Sequence, residues 1–159
     1  SAASRFPAEL DPAQTAMSAI GEFEVAATPI QMAMVSATIA NDGVQMEPYV
    51  VNRVLDSDLR VTSQSSPTRR AQVVSAQTAA ELRKMMVSVV ESGTGFRAQI
   101  SGVTVGGKTG TANSDNKRNP YAWFTAWADN PSVAVCAFVE DADIPSTEIA
   151  GGRVAAPIA

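Results

Sequence analysis

Apolar positions along this chain fall into successive regimes with different periods. Residues 1–27 scatter short apolar patches, such as Ala19-Ile20 and Phe23, among polar residues, and Pro7 and Pro12 interrupt any period. This stretch reads as an irregular lead-in. At Thr28-Pro29 the pattern turns helical, with Thr as N-cap and Pro in the first turn. Residues 30–40 are apolar on nearly every face, and Asn41-Asp42-Gly43 closes the run. A helix apolar all round predicts a place in the middle of a domain. Residues 49–55 and 59–62 predict two strands joined by the polar turn Asp56-Ser57-Asp58, and the serine-rich stretch 63–70 predicts a surface loop. Ser75 caps a second helix with an apolar face of Ala79, Leu82, Met86 and Val89, ended by Gly93-Thr94-Gly95.

Beyond residue 100 the period becomes that of a sheet. Residues 103–112, 122–128 and 133–140 predict three successive strands, and their short connections predict antiparallel neighbours. The run 133–139 is almost continuously apolar, which suits a strand buried on both faces and paired on both edges. An acidic loop over 141–148 leads to Gly151-Gly152 and a helix start that stops at Ala159. That segment reads either as a tail or as the stump of a packing helix. The predicted class is α+β, an antiparallel sheet with helices packed on it, incomplete within these residues.

Composition narrows the function. The chain has 159 residues, 45% of them hydrophobic, and a net charge of -4, enough for one domain with a real core. An acidic balance argues against nucleic acid as a partner, because phosphates demand a basic face. No apolar run approaches the roughly 20 residues of a membrane span, and residues 1–12 do not resemble a signal peptide. Any export signal is expected outside this chain. The single cysteine, Cys136, sits in an apolar run and reads as a core thiol. There is no histidine, which excludes a serine–histidine or cysteine–histidine hydrolase built from this chain alone, and any histidine metal site. Glu140, Asp141 and Asp143 read as a solvated loop rather than metal ligands. Trp123, Phe124 and Trp127 read as core packing, and Tyr121 as a surface residue. No metal or cofactor is expected.

The chemistry concentrates at Gly106-Gly-Lys-Thr-Gly-Thr-Ala112. Gly102 to Thr109 satisfies the phosphate-loop pattern G-x-x-x-x-G-K-[ST] letter for letter. Its context argues against a nucleotide site, because such a loop must open a helix, and residues 110–120 are too rich in Gly, Asn, Asp and Pro to start one. Val103-Thr104-Val105 prefers a strand to a cradle. The alternative is an edge strand beside an active site. Glycines at 106, 107 and 110 then leave room for an extended peptide to lie along the edge, held by main-chain hydrogen bonds. Lys108 supplies positive charge for a carboxylate or a proton relay, and the hydroxyls of Thr109 and Thr111 add donors. A backbone N–H at the end of the edge can serve as half of an oxyanion hole.

Lys108-Thr-Gly-Thr-Ala112 followed by Ala122-Trp-Phe124 resembles the third signature motif of penicillin-binding proteins. Thr28-Pro-Ile-Gln-Met-Ala33 and Ile39-Ala-Asn-Asp-Gly43 resemble the preceding helix of the class B members, and Gly93-Thr-Gly95 and Gly151-Gly-Arg-Val-Ala-Ala-Pro157 match in kind and order. The pattern is most similar to the mycobacterial A type. The resemblance implies a D,D-transpeptidase that acylates a serine with a peptidoglycan stem peptide ending in D-Ala-D-Ala, then passes the acyl group to an amine. It implies β-lactams as ligands of the same serine, a location outside the cytoplasmic membrane behind an N-terminal anchor, and roles in cell-wall growth. In that scheme Lys108 helps to recognise the substrate carboxylate and supports proton transfer. Thr109 and Thr111, flanking Gly110, bind that carboxylate, and the Thr111 amide completes the oxyanion hole.

The family also needs a serine-x-x-lysine and a serine-x-asparagine motif upstream of Lys108, and neither is present. Ser114-Asp-Asn-Lys117 has both spacings but lies downstream in a polar turn that cannot hold a buried lysine of lowered pKa. Residues 1–159 therefore read as the C-terminal portion of a transpeptidase domain, with the N-terminal half of that domain as partner. By itself the chain is expected to be inactive and to expose a sheet edge. Two other functions stay open: a D,D-carboxypeptidase or serine β-lactamase of the same fold, and a non-catalytic sensor module of penicillin-binding fold.

Overall fold

The computed structural model describes residues 3–113 and 119–159. The lead-in is more ordered than its sequence suggests. Pro12 does not break a helix there; it starts one, α1 (Pro12–Ala19). The Gln14 N–H donates to Asp11 Oδ1 at 2.8 Å, and the Asp11 N–H donates back to Gln14 Oε1 at 3.0 Å, closing a capping box around a Pro at the first position. Paired main-chain bonds between Arg5 and Ala26 fold the lead-in back on itself.

Helix α2 (Pro29–Ala40) begins where expected, with the Gln31 N–H on Thr28 Oγ1 at 3.3 Å. The turn that follows it holds Gly43 at φ +80, where a Cβ would strike the Val74 carbonyl. Its burial among the described residues is uneven. Ser36 and Thr38 are buried, whereas Ile30 is 55% exposed. The sheet-facing side carries a polar clasp, with Ser36 Oγ 2.6 Å from Thr125 Oγ1, and the Thr125 hydroxyl 2.9 Å from the Met32 carbonyl. Val35 on the same helix is 38% exposed.

Strand β1 (Val44–Met46) pairs with β4 (Arg69–Gln72), and β2 (Arg53–Leu55) with β3 (Val61–Gln64), both antiparallel. The predicted loop over 63–70 thus contributes the end of one strand and the start of another. Its polar residues were poor strand signals because β2, β3 and β4 are exposed at every position. Helix α3 (Ala76–Ser92) starts on Ser75, whose Oγ accepts from the Thr78 N–H at 3.0 Å. It buries Ala79, Met86 and Val90. The deepest residue of its last turn is Val90, not Val89, which instead packs under Gly95.

The central sheet has the order β5 (Val105–Ala112), β6 (Tyr121–Ala128), β7 (Val133–Val139), all antiparallel and in unbroken register. One face carries Ala122, Phe124 and Ala126, and packs with Val90 of α3 and with Ile149, Ala155 and Ala156. The other carries Trp123, Thr125 and Trp127, with α2 clasped on Thr125. Phe124 and Trp127 are core residues, as expected; Trp123 is half-buried against Phe138, ring centroids 4.3 Å apart. Arg83 of α3 lies 4.0 Å over the Trp127 ring, donates to the Ala40 carbonyl at 2.8 Å and pairs with Asp129 at 3.1 Å, tying three elements together. Strand β7 pairs only with β6 among the described residues, and of its side chains only Ala137 is buried. Half-buried Cys136 lies on this strand, and desolvation raises its thiol pKa. After a 3-10 turn (Ser146–Glu148), the C-terminal segment forms a single π-type turn (Gly151–Ala155) against β5 and β6.

Candidate active site

Strand alternation fixes what Lys108 to Thr111 can do. The Asp129 N–H donates to the Thr104 carbonyl at 3.1 Å, so in the unbroken β5–β6 ladder the even-numbered residues turn their main-chain groups toward β6. The main-chain groups of Thr109 and Thr111 therefore point outward, at a strand edge that pairs with no other described strand. No helix follows this segment within the strand, so the amide fan of a phosphate loop is missing and the nucleotide reading fails on geometry.

Side chains alternate between the two faces. Thr109 and Thr111 open into a cavity of about 320 Å³, lined also by Thr94, Phe96, Arg97, Gly151 and Arg153. Lys108 leaves from the other face but returns to the same edge. Its Nζ donates to the Thr109 carbonyl at 2.7 Å and lies 3.4 Å from Thr109 Oγ1. The structure thus gathers Lys108, Thr109 and Thr111 at one edge, with only the threonines lining the cavity.

The glycines do something other than clear a path for substrate. A Cβ on Gly106 would enter the Trp127 ring and one on Gly107 the Phe124 ring, so both positions are filled from inside the protein. Gly110 meets Trp123 Cβ and receives the chain at Gly151, where any Cβ would strike the main chain of Gly110 and Trp123. This close approach brings the Gly151 N–H to Thr111 Oγ1 at 3.1 Å. Gly152 in turn lies against the Thr94 carbonyl. Thr94 Oγ1 stands 2.9 Å from Thr109 Oγ1. On the cavity wall Arg153 pairs with Glu148 at 2.7 Å, and Arg97 lies 5.5 Å from the centre of the Phe96 ring.

Thr94, Arg97 and Arg153 were not individually legible as site residues. They belong to segments 14, 11 and 45 positions away from Lys108, and tertiary packing brings them to the cavity. The only signal was the pair of glycine motifs around them. Ser114 and Lys117 lie outside the described residues. Among the described residues no group of three or more His, Cys, Asp or Glu is placed to hold a metal, and no helix is long and apolar enough to cross a membrane. Asp141 accepts from the Asn119 side chain at 3.1 Å.

A family model described as the penicillin binding protein transpeptidase domain matches residues 7–159. The chain is 43% identical over 154 residues to a peptidoglycan D,D-transpeptidase PbpA of Mycolicibacterium smegmatis, covering 94% of this chain and 31% of that protein. It is 37% identical to the stage V sporulation protein D of Bacillus subtilis, over 96% of this chain and 25% of the relative. Among solved structures, the penicillin G acyl-enzyme complex of penicillin-binding protein A from M. tuberculosis superposes with a TM-score of 0.87 at 36% identity, over 99% of this chain and 36% of that one. The chain thus spans about a third of the length of the PbpA relatives it matches.

Proposed function

This chain belongs to the penicillin-binding protein transpeptidase family, class B and PbpA-like, and from that premise we propose that it forms the Lys-Thr-Gly wall of a peptidoglycan D,D-transpeptidase active site. The observation that carries the reading is the edge of β5, where outward main-chain groups at Thr109 and Thr111 lie beside a hydroxyl-lined cavity.

A stem peptide ending in D-Ala-D-Ala lies along that edge as an added strand. Its terminal carboxylate accepts from the hydroxyls of Thr109 and Thr111, with Lys108 close enough to lend positive charge through Thr109. A serine supplied by the N-terminal half of the domain attacks the penultimate carbonyl. The Thr111 amide faces the developing oxyanion, and D-Ala leaves with a proton relayed at the Lys108 edge. An amine of a second strand then takes the acyl group, whereas a β-lactam leaves the serine acylated. Residues 1–159 are in this reading the C-terminal part of one transpeptidase domain. The assembled enzyme works outside the cytoplasmic membrane, held by a membrane anchor.

The test is labelling with a fluorescent penicillin, read by intact mass, on this chain alone and mixed with the N-terminal half of the domain. An adduct on the partner piece, in the mixture only, is the expected result. An adduct on this chain alone overturns the placement of the nucleophile and returns attention to Ser114. Product analysis with and without an amine acceptor separates transpeptidation from hydrolysis.

A further inference from the structure

Three threonine hydroxyls meet at the cavity, and their bonds to one another and to the protein do not use all of their hydrogens. An ammonium only donates, so the Lys108 Nζ at 3.4 Å makes Thr109 Oγ1 an acceptor. Thr94 Oγ1 stands 2.9 Å from Thr109 Oγ1 and either hydroxyl can donate to the other, so one hydrogen lies between them and one is left over. Thr111 Oγ1 accepts from the Gly151 N–H at 3.1 Å, which leaves its own hydrogen free in the same way. Among the described residues of the cavity, the Thr94–Thr109 pair therefore keeps one hydroxyl hydrogen for a ligand, and Thr111 keeps its own.

We propose that Thr94 is a further substrate-contacting residue, whose hydroxyl joins those of Thr109 and Thr111 in selecting ligands that carry a carboxylate; this rests on the transpeptidase reading above. Its surroundings suit that ligand class. Arg97, on the same wall, has no carboxylate partner among the described residues, and Glu148, the acidic neighbour of the cavity, is held by Arg153. The main chain at Thr94 is also held in place before any ligand arrives. The Gly95 N–H bonds the Val89 carbonyl at 2.9 Å, and Gly152 packs directly on the Thr94 carbonyl.

The test uses the full-length protein as wild type, Thr94→Val, Thr94→Ala and Thr94→Ser. Each is acylated by penicillin G and by its methyl ester, which lacks the carboxylate, and the second-order rates are read by intact mass. The acid-to-ester rate ratio is internal to each preparation, so a misfolded fraction does not move it. In Thr94→Val and Thr94→Ala the ratio is expected to fall about 10-fold, the scale of one hydrogen bond to a charged group. Thr94→Ser is expected to stay within about threefold of wild type, because it keeps the donor. A ratio unmoved in Thr94→Val and Thr94→Ala overturns the proposal, as does an equal fall in Thr94→Ser. If the wild type acquires no adduct from either compound, the transpeptidase reading itself fails and this inference with it.

Discussion

The β5–β6–β7 sheet and the β2–β3 hairpin are both antiparallel, yet they are held by different forces. The sheet is filled on one face by Phe124, Ala122 and Ala126 and clasped on the other through Thr125 and Ser36. The hairpin is exposed at every residue, with Leu59 at its turn 78% exposed, and its strands make their main contacts with each other. The sheet gets its register from what packs on it, the hairpin from its turn, where Asp56 Oδ1 accepts from the N–H groups of Asp58 and Arg60. Catalytic geometry can be built on the first kind of strand and not on the second, because only packing on both faces fixes a side chain well enough.

Substitutions in the protein carrying the whole domain turn that contrast into numbers. Phe124→Ala, at 0% exposure and filling the space over Gly107, is expected to cost about 3–5 kcal/mol in chemical denaturation. A cost under about 1 kcal/mol would mean that the sheet is no better packed than the hairpin. Thr125→Val leaves the fully buried Ser36 hydroxyl without its partner and is expected to cost about 1–3 kcal/mol. Pairing it with Ser36→Ala should recover part of that loss, and an additive double variant would show the two hydroxyls to be independent. Leu59→Ser in the hairpin should shift stability by less than about 0.5 kcal/mol.

Cys136 sharpens the comparison chemically. Burial raises its thiol pKa, so the nucleophilic thiolate is scarcer in the folded protein than in the unfolded chain at any pH near neutrality. Alkylation by iodoacetamide at pH 8 is expected to be slower in the native protein than in urea. Ionisation of the unfolded thiol as pH climbs through its ordinary range takes stability from the folded state, so the contribution is lost on the alkaline side only.

Legibility in the sequence followed the same division. The caps at Thr28 and Ser75 and the three central strands could be read because cap chemistry and apolar runs are local signals. α1 was hidden because Pro12 carries two meanings, breaker and first residue, and only the Asp11–Gln14 box separates them. β4 was hidden because Arg69-Arg70-Ala71-Gln72 has no apolar face to show. At the site, the motif from Lys108 to Thr111 was plain, but the purpose of its glycines was not. Whether a missing side chain makes room for a substrate or for a tryptophan depends on contacts across strands. Thr94 escaped notice because a lone hydroxyl gains meaning only from what stands 2.9 Å away.

The bond from Lys108 Nζ to the carbonyl of the residue beside it has a consequence for how strands meet. An open strand edge is a template that any stray extended chain can copy, and a lysine folded over it acts as a bolt on that door. A docking peptide must draw the bolt, sharing or displacing the ammonium at the Thr109 carbonyl with its own amide. Docking there is then an exchange of partners rather than a gain, and a chain that brings no negative charge to re-seat the ammonium has little reason to stay.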